Sequence, residues 1–350
     1  MRIELPISKS IANRLLILQA IHGDGLMTVS CDMPDDVQIL HNALTTLRTF
    51  KTSKTLSTPH IDVGNCGTAM RFLTAYCAQL EGQTTILDGV ERMHHRPIGQ
   101  LVDALREIGA DIEYLGEEGF PPLRIKGCIL DKRRIVTINN PQSTQFVSAL
   151  LLIGANVQTD STSPYIYITQ EVIKQYQLSP FSYHLSVEKD WSSAAFWYEY
   201  VALHGGEITL LGLSHDSLQG DKVVADIFAH LGVRTTYTAE GVVISSSPLH
   251  PTPCTLHHDF VACPDLYPAV ALTCERLGIE LHATGVESLP LKESDRLRAV
   301  REHRTDADHR MAMALLIAGY EVDDTACISK SYPQFMEQFR QLRKKVIVSE

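Results

Sequence analysis

Apolar residues in this chain fall into two alternating kinds of helical segment. The first kind is apolar almost all round. RLLILQAIHGDGLMTVSC, RFLTAYCAQLEGQTTILDG, FVSALLLIGANVQ, SSAAFWYEYVALHGGEITLLGL, AVALTCERLGIELHATGV and MAMALLIAGYEVDDTACI each run from a dense apolar stretch through a glycine into β-rich residues. Such density predicts a buried helix, and the glycine stands where a helix end takes positive φ. The second kind is amphipathic and leads into a hairpin-like pair of strands. LVDALREIGADIEYLGEEGFPPLRIKG and DKVVADIFAHLGVRTTYTAEGVVISSS carry it whole, while DDVQILHNALTTL, ITQEVIKQYQL and YPQFMEQFRQL carry the helix. Paired, the two kinds make a β-α-β-α-β-β module that recurs six times. Three modules fall before about residue 188 and three after it, which predicts two similar α/β halves with a ligand cleft between them.

Two copies of the repeat are broken. The fifth passes from SDRLRAV to REHRTDADHRM with no helix end and no hairpin, and the first runs through RTFKTSKTLSTPH to IDVGN without its strand pair. Half an amphipathic helix leaves an apolar face with nothing to cover, so these read as places where intervening residues are absent from the sequence.

The chain has 350 residues, of which 44% are hydrophobic and 21% charged, enough for two ordinary soluble domains. A formal charge of −10 argues against a nucleic-acid or membrane-surface partner, since such proteins usually carry a basic excess. The start, MRIELPISKS, has no basic n-region ahead of an apolar stretch, and no apolar run approaches a membrane span, so a cytoplasmic protein is expected. Eight cysteines without a CxxC pair read as reduced thiols. The local group Cys254, His257, His258 and Cys263 in CTLHHDFVAC matches no usual zinc spacing, and no metal is expected.

The residues ahead of the buried helices carry the chemistry. They are SKSIANR (8–14), GNCGTAMR (64–71), PQSTQ (141–145), EKDWSS (188–193), CPDLYP (263–268) and TDADHRM (305–311). A helix start has unpaired N–H groups and partial positive charge, and so favours an anion. Ser10, Thr68, Ser143 and Thr144 are also ordinary helix caps. Lys9, Arg14, Arg71, His309 and Arg310 are not, because a cation there opposes the helix dipole unless an anion compensates. LPLKESDR adds Lys292, Glu293, Asp295 and Arg296, and MHHRPIGQL adds Arg96, although charges in such places are commonly just solvated. No GxGxxG, GxSxG or HExxH pattern occurs, and GNCGTAMR is not a Walker A loop.

The ordered set SKSIANR, GNCGTAMR, RMHHRPIGQLVDAL, STQFVSALL, KDWSSAA, LKESDRL, DHRMAM and SKSYPQF resembles the 5-enolpyruvylshikimate-3-phosphate synthase family, from residue 3 to about 340. The resemblance implies a two-domain inside-out α/β barrel, each domain made of three β-α-β-α-β-β modules with buried helices. Residues 9–188 would form the shikimate 3-phosphate domain, and 1–8 with 189–350 the phosphoenolpyruvate and catalytic domain.

The implied reaction moves the enolpyruvyl group of phosphoenolpyruvate onto the 5-hydroxyl of shikimate 3-phosphate, without metal or organic cofactor, in a monomer. By resemblance Ser10, Arg14, Ser143, Thr144, Gln145 and Thr162 would hold shikimate 3-phosphate. Lys9, Asn65, Gly67, Thr68, Arg71, Arg96, Arg296, Arg310 and Lys330, with His309, would surround phosphoenolpyruvate. Asp265 would take the hydroxyl proton and Glu293 would protonate carbon, while Lys9 and Lys292 would neutralise the departing phosphate. The chain departs from the family pattern at Ser288, Leu289 and Pro290, and at Cys66 in the GN-x-GTAMR loop. Gly67 is retained, so sensitivity to glyphosate is expected. Two alternatives stand beside this reading: transfer to UDP-N-acetylglucosamine, and, if the broken repeats are true deletions, an inactive anion-binding homologue.

Overall fold

A computed structural model describes residues 1–53, 58–178, 187–247 and 254–348. Among these residues the two kinds of segment form helices that alternate without exception. They are α1 (Lys9–His22), α2 (Asp35–Ser53), α3 (Gly67–Ala78), α4 (Gly99–Glu107), α5 (Thr144–Leu152), α6 (Pro164–Leu178), α7 (Trp191–His204), α8 (Val224–Ala229), α9 (Tyr267–Leu277), α10 (Arg296–Glu302), α11 (His309–Ala318) and α12 (Phe335–Val348). The odd-numbered ones are the apolar segments. Every residue of α3 is buried, as is α7 from Trp191 to Val201. Helices α9 and α11 stop where the pattern places glycine, at Gly278 (φ +69°) and Gly319 (φ +84°), both left-handed.

The strands are β1 (Arg2–Glu4), β2 (His60–Asp62), β3 (Thr84–Asp88), β4 (Asp111–Tyr114), β5 (Leu123–Lys126), β6 (Ile135–Thr137), β7 (Asn156–Gln158), β8 (Glu207–Leu211), β9 (Val233–Thr238), β10 (Gly241–Ser246), β11 (Thr255–Asp259) and β12 (Glu280–Thr284). The chain divides into an N-terminal unit, Ser10–Ser30 with Asp36–Ser186, and a C-terminal unit, Met1–Lys9 and Cys31–Asp35 with Val187–Glu350.

In the N-terminal unit a four-stranded sheet has the order β2-β3-β5-β4, with β2 and β3 parallel and β5 antiparallel to both neighbours. In the C-terminal unit the order β1-β8-β10-β9 repeats that arrangement, with β1 parallel to β8 and β10 antiparallel to both neighbours. The sheets match in order and direction, a parallel pair followed by a returning hairpin. Their connections differ, because β2 and β3 are joined through α3 alone whereas the chain between β1 and β8 passes through the whole N-terminal unit before α7 leads into β8. Each unit also holds one parallel pair, β6-β7 and β11-β12 respectively.

Hairpins follow α4 and α8, the two places where the sequence carries the pattern whole. None follows α10. That helix ends after seven residues at His303 (φ +51°), and the chain turns into α11 through Asp306 (φ +45°) and Ala307 (φ +57°). Left-handed backbone at three non-glycine residues is what so short a reversal between two helices demands. The stretches after α2 and α6 reach residues 54–57 and 179–186, which lie outside the described residues.

Within the C-terminal unit, Ser8 N donates to Glu188 O (2.7 Å) and Asp190 N donates to Pro6 O (2.9 Å). These bonds tie the N-terminal strand to the start of α7. They bring Lys9 close enough to act electrostatically on Asp190.

Candidate functional site

Helix capping builds the charged cluster of the C-terminal unit. Asp308 precedes α11 and accepts from Arg310 N (2.9 Å), which sets His309 and Arg310 at the helix mouth. Asp295 caps α10 in the same way and makes Arg296 its first residue. Arg296 is 1% exposed, and each of its three guanidinium nitrogens donates to a carboxylate. Nη1 donates to Asp265 (2.8 Å), Nε to Asp308 (2.8 Å) and Nη2 to Glu293 (3.1 Å). Asp265 lies in the short 3-10 turn Pro264–Leu266 ahead of α9. It also meets Arg310 Nη2 at 2.9 Å and Lys292 Nζ at 3.6 Å. Lys330 Nζ donates to Glu293 (3.2 Å).

Burial alone would raise the Asp265 carboxyl, but Arg310, Lys292 and Arg296 outweigh it and hold the group well below the carboxylate range. Burial lowers the Lys292 ammonium despite Asp265 beside it. His309 is fully buried, and burial followed by the charges of Lys9 and Arg310 keeps its ring neutral. Its nearest carboxylate oxygen, on Asp308, is 3.8 Å away, beyond hydrogen-bond reach.

A second cluster forms in the N-terminal unit at the start of α3. A Cβ at Gly67 would lie 2.5 Å from Arg71 Nη1 and 2.5 Å from Arg96 Nη2, so two guanidinium groups converge over a space that only glycine leaves open. Arg71 Nη1 donates to Gln145 Oε1 (2.9 Å), and Gln145 Nε2 donates to Thr68 Oγ1 (2.9 Å). Arg96 Nη1 donates to the Asn65 carbonyl (3.3 Å). These oxygens are neutral, so they fix geometry without cancelling charge. The Phe146 ring supports Arg71 from 5.5 Å.

Arg14 points elsewhere. Its Nε donates to Thr169 (2.7 Å), Nη1 to Ser10 O (2.7 Å), and Nη2 to Ser148 (3.1 Å) and Tyr165 O (3.0 Å). Burial pulls it down to about 10. It ties α1 to α5 and α6. Ser143 accepts from Gln145 N (3.4 Å) as the cap of α5, and Thr144 opens that helix. Thr162 lines a cavity of about 770 Å³ with Thr137, Asn139, Ser161 and Ser163, at the carboxyl ends of β6 and β7. In CTLHHDFVAC, His258 Nε2 contacts Cys263 Sγ (3.3 Å), while His257 stacks on His282 with ring centres 4.6 Å apart.

Two acids near the C-terminal cluster, Asp190 and Asp221, were not assigned to it from the sequence. Asp190 caps α7 through Ser193 N (2.9 Å) and Ser193 Oγ (2.6 Å), and the hydroxyl of Ser192 donates to Asp221. The cap pattern in KDWSS was legible. Nothing in LQGDK marks Asp221, because its neighbours come from distant parts of the chain.

Fold and site together define a module-repeat α/β protein with arginines gathered at the mouths of its buried helices. Residues 1–179, 153–303 and 301–339 match the family described as EPSP synthase (3-phosphoshikimate 1-carboxyvinyltransferase). The chain belongs to that family. A 3-phosphoshikimate 1-carboxyvinyltransferase of Bacteroides fragilis is 36% identical over 412 aligned positions, covering 99% of this chain and 96% of that protein. One from Cellvibrio japonicus is 32% identical, covering 97% and 96%. An EPSP synthase structure from Acinetobacter baumannii superposes with a TM-score of 0.66 at 19% identity, covering 97% of this chain and 95% of that one, a likeness of fold.

An alignment of 412 positions onto 350 residues leaves at least 62 positions of the Bacteroides alignment without a counterpart here. The family match changes segment at 301–303, where the fifth module is cut short.

Proposed function

We propose that this protein transfers the enolpyruvyl group of phosphoenolpyruvate to the 5-hydroxyl of shikimate 3-phosphate, releasing phosphate. The observation that carries the reading is Arg296, which holds two carboxylates, Asp265 and Glu293, while Arg310 and Lys292 lean on the first and Lys330 on the second. Addition needs a base for a hydroxyl proton and an acid for the methylene carbon. Elimination needs the reverse, and two carboxyl groups in unlike environments suit that exchange.

In the proposed sequence the 5-hydroxyl oxygen bonds to C2 of phosphoenolpyruvate as Asp265 takes its proton and Glu293 gives one to C3. Phosphate then leaves C2 while a proton departs from the methyl carbon, restoring the enol. Asp265 is a weak base while three cations hold it. Substrate anions that draw on Arg310 and Lys292 would strengthen it at the moment of use. Lys9 and Lys292 are assigned to the phosphate as it departs.

Arg71, Arg96, Asn65, Gly67 and Thr68 in the N-terminal unit, and Arg296, His309, Arg310 and Lys330 in the C-terminal unit, are assigned to phosphoenolpyruvate. Ser10, Ser143, Thr144, Gln145 and Thr162 are assigned to shikimate 3-phosphate, with Arg14 holding the helices that carry them. We also propose a monomer acting in the cytoplasm, since phosphate esters do not cross membranes unaided.

Purified protein given phosphoenolpyruvate and one acceptor at a time tests the reading. Phosphate release with shikimate 3-phosphate and none with UDP-N-acetylglucosamine is expected. Release only with the latter moves the protein to the other enolpyruvyl transferase, and release with neither leaves the inactive homologue.

A further inference from the structure

Asp221 is 3% exposed, in the short 3-10 turn Gly220–Val223 that packs on the start of α7. The same loop supplies Gln219, whose Oε1 accepts from Trp191 N (3.1 Å) and whose Nε2 donates to Glu188 (3.0 Å) and to Lys189 O (2.7 Å). The loop therefore clamps the first turn of α7, and Asp221 takes the hydroxyl of Ser192 within it. Lys222, next in the chain, turns away and donates to Ser217 O (3.0 Å), so it gives Asp221 no direct counter-charge.

The groups acting on Asp221 come from four places. Asp265 ahead of α9 and Asp190 ahead of α7 oppose its ionisation, while Ser192 on α7 and Arg310 on α11 favour it. The Cys263 thiol, pushed up by burial, is also within its field. Arg310 is thus shared: it pairs directly with Asp265 at 2.9 Å and also feels Asp190 and Asp221. Its Nη1 is buried with no hydrogen-bond partner among the described residues.

Counted as charges, Lys9, Lys292, Arg296, Arg310 and Lys330 face Asp190, Asp221, Asp265, Glu293 and Asp308. With every acid ionised these ten groups of the C-terminal unit sum to zero, so among them no positive charge is in surplus. One neutral carboxyl changes that.

We propose that Asp221 is a positioning residue that couples anion binding at Arg310 to the uptake of one proton, standing ionised as counter-charge to the empty cluster and neutral when phosphoenolpyruvate takes its place. Burial, then Asp265, push its carboxyl up to about 7, so the exchange falls near neutral pH. An anion on Arg310 removes the group that favoured ionisation and adds one that opposes it. By linkage, each proton taken up makes affinity fall about tenfold per pH unit above the carboxyl's own value.

The inference rests on the function proposed above. The test is KM for phosphoenolpyruvate from pH 6 to 9 at saturating shikimate 3-phosphate, for wild type, Asp221→Asn and Ser192→Ala. The substrate phosphate's own ionisation, near pH 6, is common to all three and cancels in ratios. Wild-type KM is expected to climb above about pH 7 as the carboxyl ionises. That of Asp221→Asn should stay level over the same range. Ser192→Ala, which loses the hydroxyl favouring ionisation, should shift the climb to higher pH.

A merely structural role would raise KM equally at every pH and leave the profiles parallel, and parallel profiles overturn the proposal. So does an unmoved inflection in Ser192→Ala, which keeps the carboxyl and decides the matter if Asp221→Asn fails to fold. Wild-type protein that turns over neither acceptor sinks the functional reading and this proposal with it.

Discussion

Arg310 Nη2 lies 2.9 Å from Asp265 Oδ2, and Asp265 Oδ1 takes Arg296 Nη1 at 2.8 Å. One carboxylate thus locks the mouth of α11 to the first turn of α10. Asp265→Asn should lower kcat by about 10²- to 10⁴-fold, as loss of a positioned base does. Arg296 keeps Asp308 and Glu293, so the variant should remain folded. Steady-state rates beside a urea melt check this, and near-normal turnover in Asp265→Asn, or in Glu293→Gln, removes that residue from the chemistry.

Gly67→Ala places a methyl group 2.5 Å from Arg71 Nη1 and from Arg96 Nη2. Both side chains must then give way. A rise in KM for phosphoenolpyruvate of about tenfold or more is expected, as for a weakened charge-assisted contact. Wild type should be inhibited by glyphosate and Gly67→Ala much less so. Indifference of the wild type to millimolar glyphosate would count against the role given to Gly67.

Glu199 on α7 is fully buried, and both carboxylate oxygens lack a hydrogen-bond partner among the described residues. Burial raises its pKa well above the ordinary 4.5. A raised folded value means the unfolded chain loses its proton first as pH climbs. Stability is therefore full below about 4.5 and falls as pH rises towards the folded value. Glu199→Gln should flatten that slope, and Glu199→Leu should add about 1–3 kcal/mol at pH 8 by removing a buried group without a partner. Thermal melts from pH 5 to 8 decide it, and an unchanged slope in Glu199→Gln refutes the assignment.

Arg14 makes four hydrogen bonds to α1, α5 and α6, and a lysine can make few of them. Arg14→Lys should cost about 2–4 kcal/mol of stability, because Thr169 and Ser148 lose their charged donor. Denaturant midpoints measure this. A variant of normal stability whose KM for shikimate 3-phosphate alone has risen would return Arg14 to direct substrate contact.

Much of this molecule was legible before its structure. The alternation of buried and amphipathic helices, their glycine stops, the hairpins after α4 and α8, and the break before TDADHRM are all local properties of spacing and apolar density. Caps were legible for the same reason, since Asp190, Asp295 and Asp308 each act within three residues of themselves. The grouping of Lys292, Glu293, Arg296 and Arg310 was implied by the family resemblance, while the charge pattern of LKESDR alone fitted a solvated helix start equally well.

Only the tertiary structure decided how those charges are paired. Arg296 meets Asp308 twelve residues ahead and Asp265 thirty-one residues behind, and no local pattern distinguishes that from exposed ion pairs on a helix. Arg14 sits in its motif like a ligand group, yet its guanidinium is spent on Thr169 and Ser148. Asp221 carries no motif at all. The reason is common to the three: periodicity is written along the chain, whereas the strength of a charge depends on what lies within a few ångströms through space and on how much water burial has removed.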